Sequence, residues 1–90
     1  MRPDTEKGVE EIFSFLKILG LVKGRQGRYW LSSFTIDNVN RLQKQNNNLA
    51  QAIILTILET CERHGYSAET RENLENCASA LLVLFEGKKN

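Results

Sequence analysis

The sequence predicts an all-α, or mainly α, fold: a small bundle of three to four helices with an optional short β-hairpin or ordered loop at about residues 21–32. Three observations carry this. Apolar residues recur at spacings of three and four over three long stretches, as they do in helices that each bury one face. Small capping residues and glycines bracket those stretches. The apolar fraction of 41% beside 26% charged residues is that of a globular chain with enough apolar surface to fold. Ninety residues leave room for one hydrophobic core, so residues 1–90 are expected to form a single helical domain.

The first helix is expected from a cap at Asp4 or Thr5, where a side-chain oxygen satisfies an orphan N–H of the first turn, to a stop at Gly24. Its stripe is Val9, Ile12, Phe13, Leu16 and Leu19, and Phe15, Ile18 and Val22 widen it to more than one side. In residues 24–34, GRQGRYWLSSF, Tyr29, Trp30 and Leu31 favour extended backbone, with a turn near Arg25 to Gly27.

A second helical pattern runs from Thr35 or Asp37 to His64, where Gly65 supplies a left-handed cap. Asn46, Asn47 and Asn48 interrupt it, because asparagine competes for the backbone and prefers caps and turns. Two readings stay open. In one, Asn48 caps a separate helix with Gln51 at its third position. In the other, the helix is continuous and carries a coiled-coil seam, with Val39, Asn46 and Ile53 at heptad position a and Leu42 and Leu49 at d. The last helix is expected from a Ser67 cap, with Glu69 and Glu72 at its positive end. Its stripe is Leu74, Cys77, Ala78, Leu81, Leu82 and Phe85, it stops at Gly87, and the tail of Lys88 to Asn90 is expected to fray.

A formal net charge of +1 gives no general attraction to phosphate or anionic lipid, but the charge is unevenly placed. Residues 21–34 hold Lys23, Arg25 and Arg28 without an acid, a local +3, whereas residues 59–76 hold five Glu against two Arg, a local −3. The longest apolar runs, IILTIL at 53–58 and ALLVLF at 80–85, fall far short of the roughly 20 residues that span a bilayer. The opening MRPDTEKG lacks the regions of a secretory signal. No membrane partner is expected, and the cytoplasm is the expected compartment.

Cys61 and Cys77 are the only cysteines. In a helical hairpin turning near Gly65 their offset along the axis is on the order of 12 Å, too far for a disulfide, so two free buried thiols are expected. Cys61 and His64 have C-x-x-H spacing, which Cys77 or Glu62 could extend towards a zinc site, but the paired motifs of structural zinc are absent. The same pair lacks the orienting group and oxyanion hole that thiol catalysis needs. No phosphate loop, dinucleotide fingerprint, nucleophile elbow or metalloprotease motif is present. The glutamates of 59–75 read as a solvated face. No catalytic, cofactor-binding or metal-binding residue is expected, and the chain is not expected to be an enzyme.

The stretch with the most chemistry is Lys23, Arg25, Arg28, Tyr29 and Trp30, because arginines beside stacking rings contact nucleic-acid backbone and bases. The competing reading has Tyr29, Trp30 and Leu31 closing the core while the cations snorkel into water. Residues 19–32, LGLVKGRQGRYWLS, resemble the end of the recognition helix and the wing of winged helix-turn-helix regulators, a resemblance that takes in residues 5–33. It implies a groove-reading helix over 5–19, phosphate contacts from Lys23, Arg25 and Arg28, and dimerising helices over 35–85.

Two functions follow as expectations. The first is a non-enzymatic helical module for protein–protein interaction, such as a regulator, inhibitor or adaptor. It is expected to be homodimeric through 36–58 or 74–85, with Val39, Leu42, Asn46, Leu49 and Ile53 as candidate interface, since Ile53, Ile54, Leu55, Ile57 and Leu58 cover nearly all faces of one helix. The second is a nucleic-acid-binding transcriptional regulator using the basic aromatic turn at 23–30.

Overall fold

The computed structural model describes residues 3–66 and 69–88. Four helices and one hairpin follow in the order α1 (Pro3–Ile18), β1 (Val22–Arg25), β2 (Arg28–Leu31), α2 (Ser33–Asn46), α3 (Leu49–His64) and α4 (Glu69–Lys88). The mainly α bundle with a short hairpin is therefore present. The Ser67 cap lies outside the described residues, as do Lys89 and Asn90, and α1 already includes Asp4 and Thr5. No helix among the described residues is long and apolar enough to cross a membrane.

Further boundaries differ from those the sequence implies. α2 begins at Ser33, ahead of Thr35 and Asp37, because the Ser32 hydroxyl takes the capping role. The first helix ends at Ile18 and is capped at Gly20, four residues before Gly24. Gly20 takes a φ of 80°, its N–H donates to the Lys17 carbonyl, and the Leu21 N–H donates to the Leu16 carbonyl, both at 3.0 Å. This is a Schellman cap, and its usual apolar clasp is here the buried pair Leu16 and Leu21. Val22 thus belongs to a strand, although it continues the helical stripe. Gly87, in turn, does not stop the last helix, which runs through it to Lys88.

The asparagine run separates two helices. Asn47 takes the left-handed conformation at the end of α2, and its N–H donates to the Gln43 carbonyl. Asn48 caps α3 by accepting from the Gln51 N–H at 3.0 Å. Asparagine tolerates left-handed backbone because its side chain bonds locally, and the next one supplies the cap oxygen. The continuous coiled-coil helix is accordingly not formed.

The core is shared by all elements. Leu16, Leu21, Val22, Val39, Ile53, Ile57, Cys61, Cys77 and Leu81 are essentially fully buried. α3 packs between α2 and α4, and α4 also reaches α1 and β2, while α1 covers β1. The hairpin is thereby clamped from both strands. A polar knot fixes it to α2: the Ser32 N–H and the Thr35 hydroxyl both donate to the Leu21 carbonyl, at 3.1 and 2.7 Å. Since the Thr35 proton is used there, the Ser32 hydroxyl donates to Thr35 Oγ1 at 2.8 Å, and Ser32 Oγ caps α2 by accepting from the Thr35 N–H. Between α2 and α3, Asn38 Nδ2 donates to Thr56 Oγ1 at 2.9 Å, which donates on to the Ala52 carbonyl. Buried polar groups that are fully paired in this way fix one arrangement of the elements.

Candidate nucleic-acid interface

The hairpin is antiparallel, pairing Val22 with Leu31, Lys23 with Trp30, Gly24 with Tyr29 and Arg25 with Arg28. Paired residues share a face and successive residues alternate. Val22, Gly24, Tyr29 and Leu31 therefore form the inner face, and Lys23, Arg25, Arg28 and Trp30 the outer one, in agreement with their burial. The two-residue turn is Gln26 and Gly27, with φ of 52° and 77°; positive φ at both central residues matches the type I′ turn, whose twist suits paired strands.

Tyr29 is used for packing. Its ring stacks on Phe13 with centroids 4.5 Å apart and planes 13° apart, and on its other side covers Gly24. A Cβ at position 24 would lie 2.7 Å from Tyr29 Cε1, so a glycine is required for the ring to lie flat across the strand. Of the two aromatic candidates, Tyr29 is thus on the core side. Trp30 is 46% exposed beside the cations.

One residue joins the face that the sequence reading left out. Lys17, in the last turn of α1, lines an open cleft of about 590 Å³ with Gly20, Lys23, Arg25 and Trp30, and none of the cleft's lining residues is acidic. The signal available for it was a last-turn cation three residues before a glycine stop, which directs it over the strand that follows. Arg28 lies on the same hairpin face beside Arg25. Trp30 also lines a second groove of about 590 Å³, with Tyr29, Leu31, Ile36, Val83, Leu84 and Gly87. The indole lines both the cleft that holds the cations and the apolar groove.

The other candidate residues are dispersed or enclosed. Val39, Leu42 and Ile53 are closed inside the chain's own core and Leu49 is half-buried against it. Asn46 is exposed, its Nδ2 donating to the Leu42 carbonyl of its own helix at 3.1 Å. These five residues offer no continuous surface for a partner, because the turn at Asn47 folds the seam back into the core.

Cys61 and Cys77 are free thiols, each only 1% exposed. Burial, and secondarily the nearby Cys61, push the Cys77 thiol up to about 11, which keeps it protonated and unreactive at neutral pH. His64 is exposed at the end of α3 and stacks on Tyr66 at 6.2 Å between centroids. Among the described residues no three of His, Cys, Asp and Glu gather as metal ligands. No family model, curated protein or solved structure matches the chain.

Proposed function

We propose that the chain is a non-enzymatic nucleic-acid-binding module whose working surface is the outer face of the β1–β2 hairpin. The observation that carries this reading is the alignment of Lys23, Arg25, Arg28 and the exposed Trp30 on one side of a rigidly clamped hairpin, with Lys17 alongside. Cations in this arrangement neutralise phosphates, and a hairpin fixed on both strands loses little order on binding. The order α1, β1, β2 is also the order that the winged-helix resemblance calls for. The phosphate-contacting part of that resemblance is retained. The groove-reading part is weaker, since the described exposed residues of α1 include Glu10 and Glu11 with Val9, Ser14, Lys17 and Ile18, and two carboxylates repel a duplex backbone.

The test is a polarisation titration with labelled DNA and RNA over a range of salt. Three to four phosphate contacts give a slope of log affinity against log salt of roughly −2 to −3.5. Reversing the charges together (Lys23→Glu, Arg25→Glu, Arg28→Glu) abolishes binding. Affinity indifferent to salt, or intact in the triple variant, refutes the reading.

A second reading, interaction with protein including a second copy of the chain, is favoured by Val83, which is 63% exposed at the rim of the apolar groove. Light scattering as a function of concentration tests self-association, and a strict monomer removes the homodimer. A dimer would use this groove in place of the buried Val39, Leu42 and Ile53.

A further inference from the structure

We propose that Trp30 is a stacking platform for an unpaired base, so that the ligand of the hairpin is single-stranded nucleic acid. This rests on the reading of the hairpin face as a nucleic-acid interface and goes further by choosing the strand state and the residue that selects it. Two observations and one argument from duplex geometry carry it.

The indole is not the ring that closes the hairpin onto α1. Its neighbour Tyr29 supplies the inner aromatic contact by stacking on Phe13 over Gly24, while Trp30 alternates outward and stays 46% exposed. Paired with Lys23 on the outer face, Trp30 keeps close to half of its surface accessible to a ligand.

The surroundings of the indole divide by chemistry. Lys17, Lys23 and Arg25 line one of the two hollows it borders, and Ile36, Val83 and Leu84 line the other, which holds no charged residue among the described ones. A nucleotide has the same division, an anionic phosphate at one end and a flat, largely apolar base at the other. A strand laid across the hairpin keeps its phosphates among the cations while a base covers the indole towards the groove. Stacking of this kind tolerates any base, since every base has a π-face.

A duplex does not fit this arrangement. Its bases are covered above and below by neighbours, and exposing one face costs a few kcal/mol of unstacking. An unpaired base is already free.

Trp30 is the only tryptophan, so intrinsic emission reports this site alone. The full chain is titrated at low salt with an oligothymidylate of about 12 nucleotides, within the site sizes such grooves cover, and with a duplex of equal length. The expected results are quenching of tryptophan emission by the single strand and an affinity at least tenfold above that for the duplex. Trp30→Ala is expected to weaken single-strand binding by about tenfold or more with an unchanged helical circular dichroism spectrum, and Trp30→Phe to recover most of the loss. Equal, salt-dependent affinity for both ligands without quenching, unchanged in Trp30→Ala, overturns the stacking role and leaves the phosphate-binding face standing. Absence of binding to either ligand overturns both. An emission change on concentrating the protein alone assigns the groove to a second copy of the chain and overturns the base-stacking role.

Discussion

The β1–β2 hairpin turns its cations and indole outward, whereas the α3–α4 interface takes both thiols of the chain inward and leaves the histidine outside. Both regions carry residue types capable of chemistry at short spacing. On the hairpin, alternation with a period of two sorts charged from packing residues within eight positions. On α3, Cys61 and His64 lie three apart, but His64 is the last residue of the helix and lies beyond the packed interface. Proximity in sequence produces a shared exposed surface only where the element's period sends the groups to the same side and the neighbouring elements leave that side open.

The largest effect that could break this comparison comes from the hairpin's inner face. Tyr29→Ala removes a ring stacked on Phe13 and opens a gap over Gly24, which is expected to cost about 3 kcal/mol in a urea titration. The outer-face triple charge reversal is expected to change stability by about 0.5 kcal/mol or less. If the two variants are equally destabilised, the division of the hairpin into a packing face and an exposed face is wrong.

The thiol interface gives the next effect. Unfolded, Cys77 titrates near its ordinary 9.0; folded, near 11. The unfolded chain therefore loses this proton first, so the contribution is complete below pH 9 and is lost as pH rises from 9 to 11. The loss is on the order of 2 kcal/mol. Urea midpoints measured across that window should fall, and fall less steeply in Cys77→Ala. A wild-type slope no steeper than that of the variant would mean that water reaches this interface.

Much of the fold is legible in the residues, and the parts that are not have local causes. The stripes on α1, α3 and α4 mark most of the core, but Val9 and Ile18 of the α1 stripe and Leu58 of α3 are exposed, because one side of each helix faces away from the bundle; Asn48 and Gly65 announce their caps. Gly20 is obscured because Leu21 and Val22 prolong the apolar pattern past it; only the Schellman bonds and the buried pair Leu16 and Leu21 distinguish a capped end from a continuing helix. The seam at Val39, Leu42 and Ile53 misleads for a different reason. Apolar spacing states that a face is covered, and is silent on whether the cover is another helix of the same chain or a second molecule. At the candidate site, Lys23, Arg25, Arg28 and Trp30 are evident as a cluster, but their separation from Tyr29 needs the strand register.

That register depends on the turn, and the turn gives the smallest and sharpest test. Asn-Gly is the strongest signal for a type I′ hairpin, and here the first central residue is Gln26, held at φ 52°. A glutamine pays for left-handed backbone without the short side chain that lets asparagine bond locally, which is also why the sequence leaves hairpin and ordered loop both open. Gln26→Asn keeps the turn geometry and relieves part of that cost, so stability should rise by roughly 0.5 kcal/mol, visible as a small upward shift in Tm. Because Arg25 and Arg28 flank the turn as a paired rung, a better-formed turn leaves their spacing intact, and nucleic-acid affinity should hold or rise slightly. A drop in affinity alongside the gain in stability would show that the outer face works by adjusting its shape to the ligand, and would contradict the rigid, two-faced hairpin on which the proposed interface depends.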